Sequence, residues 1–137
     1  GSGVCTRSGG VRGIRVRVAM AAYANDEVAG FYRLDFAPNA AVGRSLGVPA
    51  VGLRAFVIDQ RQQGRGYGTQ AMASCCEDLR LRHPDRALLV LTVNCTNSAA
   101  IAAYLRAGFV DTGELFHGGS AGAQHIMLHS LRPAPTT

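Results

Sequence analysis

The stretch from Val51 to Val93 constrains the fold more than any other part of the chain. An apolar run, VGLRAFVI (Val51–Ile58), leads into DQRQQGRGYG, then into TQAMASCCEDLRLR (Thr69–Arg82), and then into a second apolar run, ALLVLTV (Ala87–Val93). The first run reads as a strand ending at Asp59. Thr69–Arg82 reads as a helix, with Met72, Cys75, Cys76 and Leu79 gathered on one face and Gln70, Glu77 and Asp78 largely away from it. HPDR, His83–Arg86, ends that helix. Ala87–Val93 shows no polar alternation, as expected of a strand covered on both faces.

The flanks supply the rest of a sheet. Ile14, Val16 and Val18 alternate with Arg15 and Arg17, a half-buried strand, and VAGFYRLDF returns after the turn at Asn25–Glu27, so the two read as a hairpin. APNAAVGRSLGVPA is a loop broken by Pro38, Gly43, Gly47 and Pro49. Ser98–Ala107 reads as a second helix, with Asn97 as its N-cap and Gly108 as the glycine just past its end. VDTGELFH and AQHIMLHSL form a last strand pair around GGSAG. Residues 4–13, rich in Gly, Ser and Arg, read as loop. The expected order is β-β-β-α-β-α-β-β, an α/β or mixed α+β fold. The expected organisation is a flexible segment at 1–13, one domain at 14–131 and a flexible tail at 132–137.

Composition narrows the function classes. At 137 residues the chain has the size of one ordinary domain able to bury a core. No apolar run approaches the roughly 20 residues of a membrane helix, and no charged-then-apolar leader opens the sequence, so a cytoplasmic protein without a membrane partner is expected. The net charge of +5 is carried by arginine alone, because lysine is absent. Those arginines are scattered and form no basic stripe, so an anionic small ligand fits the charge better than nucleic acid. Cys5, Cys75, Cys76 and Cys95 form no C-x-x-C pair, and the vicinal pair diverges on a helix. Neither a zinc site nor a disulfide framework is expected, and buried free thiols are.

The glycine stretch carries the chemistry. The first turn of a helix leaves backbone N–H groups without partners, and the aligned peptide dipoles add partial positive charge there. Gly64, Gly66 and Gly68 let the backbone coil tightly and let a phosphate approach it, while Arg65 offers a charged fork. A Walker loop is excluded by the absence of lysine, and a Rossmann fingerprint by the spacing of these glycines. On the stretch alone, a plain tight turn remains an open alternative.

Two motifs together go further. Gln63-Gly64-Arg65-Gly66-Tyr67-Gly68 resembles the Q/R-x-x-G-x-G/A signature of the GNAT superfamily of acetyl-CoA-dependent N-acetyltransferases, which lies between that family's fourth strand and third helix. NSAAIAAYLRAGF, Asn97–Phe109, resembles the family's N-x-x-A-x-x-x-Y-x-x-x-G-F pattern through Asn97, Ala100, Tyr104, Gly108 and Phe109. The resemblance covers residues 14–131. It implies a mixed, mostly antiparallel twisted sheet with helices on both faces, and a front end in which the family's first strand and helices are shortened or absent. It implies acetyl-CoA as the acetyl donor, with no metal. The residues it places at the cofactor are Gln63, Gly64, Arg65, Gly66, Tyr67, Gly68, Thr69, Asn97, Ala100 and Tyr104. It further implies a splay between Val51–Ile58 and Ala87–Val93, with the Phe56 N–H on the acetyl carbonyl and the Ile58 N–H next along the pantetheine arm.

The chemistry so implied is direct attack of an amine on the thioester. The oxyanion that forms needs a fixed N–H donor, and the leaving thiolate needs a proton. Tyr104 is the candidate acid; read from spacing alone, it serves equally as a packed core tyrosine. Many relatives carry a carboxylate base on the fourth strand, whereas Val51–Ile58 holds Gly52 and Arg54 among apolar residues. That leaves a water chain, Asp35 or Glu27 on the hairpin, or His117 and His125 around the glycine-rich last loop as the base or as acceptor contacts. The acceptor is expected to be a primary amine of a small molecule or peptide. A non-catalytic acyl-CoA-binding module is the alternative. The short front end leaves the acceptor side uncovered, which makes a homodimer, paired through the Ile14–Phe36 hairpin or the Asp111–Leu131 strand pair, the candidate assembly.

Overall fold

In the computed structural model, residues 4–9, 17–24, 27–37, 42, 46–58, 66–118 and 122–132 are described. They form the strands β1 (Val4–Gly9), β2 (Arg17–Ala24), β3 (Glu27–Asp35) and β4 (Ala50–Ile58), then α1 (Tyr67–Arg82), β5 (Leu88–Asn94), α2 (Ser98–Arg106), β6 (Val110–Phe116) and β7 (Gln124–Ser130). The seven strands make one sheet in the order β1-β2-β3-β4-β5-β7-β6. β4 and β5 are its one parallel pair among the described residues, and every other neighbour runs antiparallel. A parallel pair needs a long crossover, and α1 is that crossover.

The main correction to the sequence reading lies at the front. Val4–Gly9 was expected as loop within a flexible segment, yet it forms β1, registered from Val4 against Ala24 to Gly9 against Ala19. Glycine, serine and arginine are poor strand formers taken singly, but an antiparallel partner supplies the ladder and overrides that preference. The same strand covers the outer edge of the hairpin, so of the two surfaces expected to meet a second copy, only the β6 side still ends the sheet.

Alternation sorts the strand residues onto two faces. One face carries Met20, Tyr32, Leu34, Leu53, Leu89, Leu91, Val93 and Met127, packed with Met72, Cys75, Cys76 and Leu79 of α1 and with Ile101 and Tyr104 of α2. The other carries Val90 and Ile126 beneath Val42, with Leu46, Leu88 and Leu128 at the margin. Both helices thus lie on the same face, where helices on both faces were expected. Among the described residues no helix precedes α1 to cover the second face. β5 is nonetheless buried on both sides at Leu89, Val90 and Leu91, as its unbroken apolar run requires.

Two arginines bracket this arrangement. Arg86 donates from Nη1 to the carbonyls of Ala50, at 2.9 Å, and Phe36, at 3.3 Å, and its guanidinium lies 5.5 Å from the Phe36 ring centroid. Arg80 on α1 donates to the carbonyls of Leu131 and Ser130, at 3.0 and 3.1 Å, tying the helix to the end of β7. Among the described residues no helix is long and apolar enough to cross a membrane.

The α1 core face includes two thiols, and burial pushes Cys75 up to about 12 and Cys76 up to about 11, whereas Cys95 is exposed. The thiolate is the reactive form. At pH 8 to 9 a soluble disulfide reagent should therefore modify Cys95 in the folded chain and reach Cys75 and Cys76 only on unfolding, as read by peptide mass mapping. Modification of all three at one rate would contradict this packing. Thiols of the unfolded chain ionise near ~8.5. Above that pH the unfolded state binds fewer protons than the folded one, so stability falls as pH rises from there toward about 11. The fall in urea midpoint over that range should be shallower in Cys76→Ala.

Candidate functional site

The site begins where β4 and β5 part. They pair at Ala50 with Leu88, Val51 with Leu89 and Gly52 with Val90, and no pairing continues beyond. The closed end is held by the Pro49 carbonyl, which accepts from the N–H groups of Ala87 and Leu88 at 2.8 and 3.3 Å. Further along, β4 stays with β3 and β5 stays with β7, so a wedge opens between them.

A β-bulge shapes the β4 side of the wedge. Phe31 faces Val57 and Arg33 faces Arg54, so Tyr32 alone stands against both Ala55 and Phe56. Without that extra residue, Leu53 and Phe56 would point to opposite faces; with it, both join the helix-side core. The Phe56 ring is 5.8 Å from Tyr32 and 6.4 Å from Tyr104, centroid to centroid. A cavity of about 250 Å³ fills the wedge, lined by Arg33, Leu53, Arg54, Phe56, Leu91, Thr92 and Tyr104. Leu53, Phe56, Leu91 and Tyr104 belong to the helix side, whereas Arg33, Arg54 and Thr92 alternate with buried helix-side residues and belong to the opposite face. The cavity therefore runs through the sheet.

α2 positions Tyr104. The Asn97 side chain accepts from the Ala100 N–H at 3.2 Å and starts the helix, and Gly108 leaves it at φ +100. A Cβ on Gly108 would stand 3.0 Å from His129 Nε2, which itself lies 3.2 Å from the Ala107 carbonyl oxygen. Tyr104 is half-buried and packs edge-on against Phe109 at 5.5 Å. Burial raises its phenol above the ordinary value, so it stays protonated through the neutral range.

α1 begins at Gly66, whose φ of +75 is left-handed, and no side chain caps it. The first turn holds no acidic residue, so among the described residues its N–H groups meet neither a capping side-chain oxygen nor a carboxylate of their own turn. Tyr67, Gly68 and Thr69 form that turn. A Cβ on Gly68 would lie 3.8 Å from both Ile58 Cγ1 and Phe56 Cε1, so the helix start sits against the open end of β4. Gln63, Gly64 and Arg65 lie outside the described residues.

The remaining candidates divide. Asp35 is 3% exposed, accepts from the Ala37 N–H at 3.0 Å and lies 3.6 Å from Arg54 Nε. It lines a second cavity, of about 130 Å³, with Arg33, Leu34 and Arg54, next to the wedge. His117 is exposed, and His125 Nδ1 lies 3.1 Å from Asp111 Oδ2 on the far side of β5, within ion-pair distance but outside hydrogen-bond alignment. Neither histidine lines the wedge cavity. Arg33, Leu53, Leu91 and Thr92 were missed by sequence reasoning. Alternation marks Arg33 as outward-facing, but only the β3–β4 register reveals that it stands opposite Arg54. Among the described residues no three His, Cys, Asp or Glu side chains are grouped to hold a metal ion.

Comparison with known proteins matches this geometry to a family. Residues 13–109 match the profile of the Acetyltransferase (GNAT) family. No curated protein matches the chain. Among solved structures, an aminoglycoside acetyltransferase, AAC(6')-Ib, in complex with coenzyme A is 22% identical at a TM-score of 0.71, covering 84% of this chain and 66% of its own. A spermidine N-acetyltransferase SpeG chimera from Vibrio cholerae and hSSAT is 15% identical at 0.66, covering 85% and 68%. RimL, a ribosomal L7/L12 alpha-N-protein acetyltransferase, is 16% identical at 0.67, covering 85% and 70%. The chain thus spans about two thirds of the length of these neighbours, and the likeness is one of fold. With the profile matching most of the sequence and the wedge, bulge and glycine-led helix all present, the chain belongs to the acetyltransferase (GNAT) family.

Proposed function

We propose that this chain is an acetyl-CoA-dependent N-acetyltransferase that moves an acetyl group to a primary amine of a small molecule or peptide by direct attack. The observation that carries the reading is the cavity through the β4–β5 wedge, with Tyr104 on its helix side and the uncapped start of α1 alongside. The neighbours support it in kind, since by name they acetylate aminoglycosides, spermidine or a protein N-terminus.

In this reading the pyrophosphate of the donor rests on the first turn of α1 and the Gln63–Gly68 stretch, where free N–H groups and the helix dipole favour an anion. The pantetheine arm runs past Ile58 and Phe56 into the wedge. The neutral amine adds to the thioester carbonyl carbon, and the oxygen takes up negative charge that the Phe56 N–H stabilises. The C–S bond then breaks, and the Tyr104 hydroxyl gives its proton to the departing thiolate. The nitrogen loses a proton to water or to Asp35. Because Asp35 is paired with Arg54, water is the simpler acceptor. The direct test is thiol release from acetyl-CoA across a panel of amines; binding of acetyl-CoA with no release on any of them would reduce the chain to a binding module.

Two variants probe the parts separately. Gly66→Ala forces a side chain into φ +75, a strain of roughly 1–2 kcal/mol, and crowds the backbone where phosphate is to rest. Acetyl-CoA affinity should fall at least ~10-fold by calorimetry, a loss of about 1.4 kcal/mol, with the far-ultraviolet dichroism retained; unchanged affinity removes the phosphate from this turn. Tyr104→Phe deletes one hydroxyl. It should lower kcat by about 10²–10⁴-fold while leaving acetyl-CoA affinity near its original value. A full rate with phenylalanine would leave Tyr104 as a packing residue.

A further inference from the structure

β5 carries a single polar side chain inside its apolar run. In LLVLTV, Leu88–Val93, Thr92 alone can form a side-chain hydrogen bond. Leu91 and Val93 on either side of it pack into the helix-side core, so Thr92 stands on the opposite face. Val90, two residues earlier on that face, is covered in the cluster with Val42 and Ile126. At Thr92 the cover ends: the residue is half-buried and lines the wedge cavity. A hydroxyl among apolar neighbours ordinarily bonds to protein or to water. Among the described residues the Thr92 hydroxyl has no hydrogen-bond partner.

We propose that Thr92 Oγ1 accepts a hydrogen bond from the amine that is acetylated and so aims its lone pair at the thioester carbonyl. The inference rests on the reading above, in which the donor occupies the helix side and the amine comes from the opposite face. An attacking amine turns its lone pair toward the carbonyl carbon, which leaves its N–H groups in need of acceptors. The described lining of the cavity offers few: Arg33 and Arg54 carry donors only, and Leu53, Phe56 and Leu91 carry neither donor nor acceptor in their side chains. The Tyr104 hydroxyl belongs to the helix side, where in that reading it serves the thiolate. Thr92 is the side-chain acceptor on the face from which the amine comes. The two edges of the wedge then divide the work, β4 stabilising the oxyanion through the Phe56 N–H and β5 orienting the nucleophile. As the C–N bond forms, the nitrogen gains positive charge and its N–H becomes a stronger donor, so the contact is strongest in the transition state. The carbonyl π pair moves to oxygen, the excess proton leaves nitrogen for water, and Thr92 ends as it began.

Two variants separate the hydroxyl from the methyl. Thr92→Val keeps the shape and loses the hydroxyl, whereas Thr92→Ser keeps the hydroxyl and loses the methyl. Thiol release from acetyl-CoA is measured with n-butylamine, 1,4-diaminobutane, glucosamine and L-alaninamide, and acetyl-CoA affinity by calorimetry. Thr92→Val should lower kcat and kcat/KM for the amine together by about 10- to 100-fold, the range of one hydrogen bond to a charged group, with acetyl-CoA affinity unchanged. Thr92→Ser should stay within about threefold of the native rate. A packing role gives the reverse order, with serine the damaging change. Release that Thr92→Val retains, a serine variant as slow as the valine one, or loss of acetyl-CoA binding in Thr92→Val would each overturn the proposal. No release by the native chain on any of these amines would overturn the acetyltransferase reading and this inference together, whereas native release indifferent to the hydroxyl overturns this inference alone.

Discussion

The site exists because a parallel strand pair stops early. β4 and β5 are clamped at one end, where the Pro49 carbonyl takes two N–H groups of β5's start and Arg86 reaches the carbonyls of Phe36 and Ala50. Three residue pairs later the clamp has no further hold, because each strand has a full antiparallel ladder on its outer side to follow. A sheet with right-handed twist separates further along such strands. Backbone N–H groups left beside an opening are the kind of donor that a buried oxyanion or an amide arm can use. Opening the wedge elsewhere in this sheet would break two-sided antiparallel pairing, so the one parallel junction is where it costs least.

The bulge and the glycine turn act on that opening from opposite directions. The bulge at Ala55–Phe56 turns Phe56 onto the helix side and keeps Arg54 on the other. It therefore separates an aromatic, desolvated wall from a charged, wet one across a single strand. The turn at Gly66 sets α1 so that its start meets the open end of β4 at Ile58 and Phe56. A side chain at Gly66 would have to take the left-handed φ of +75 on which that turn depends, whereas at Gly68 a Cβ would make only ordinary contact with Ile58 and Phe56. The desolvation that keeps Tyr104 protonated comes from the same aromatic wall, so packing and proton inventory are one property of the site.

Much of this was legible in the residues, and the part that was not has a common cause. Periodicity located α1 and α2 to within two residues, and the Asn97 cap and the Gly108 exit stand where the pattern asked. Those signals are local, since each depends on residues within one or two turns. Val4–Gly9 was hidden because glycine, serine and arginine show no strand preference and take extended form only against β2. That both helices lie on one face was hidden because the side on which a helix packs is set by crossovers, not by its own stripe. Arg33 and Arg54 were visible singly, yet their opposition depends on a register that itself shifts at the bulge. His117 and His125 were legible as a pair bracketing a loop, but the sheet order puts β7 beyond β5, away from the wedge cavity.

Position also explains part of the charge. A net +5 with no lysine raises the question of an anionic partner. Several of the described arginines have local work: Arg80 and Arg86 donate to strand-end carbonyls, Arg82 pairs with Asp78 at 2.7 Å, and Arg106 sits in the last turn of α2, where a cation meets the negative end of the helix dipole. Guanidinium suits the first of these tasks because its several N–H groups can satisfy two carbonyls at once, which an ammonium does less well. Arg33 and Arg54 lie across β3 and β4 on the face without helices, at the opening that the parallel pair creates. Asp35, almost wholly buried, stands 3.6 Å from Arg54 Nε at that opening, so the charge nearest the wedge is set by strand register rather than by composition.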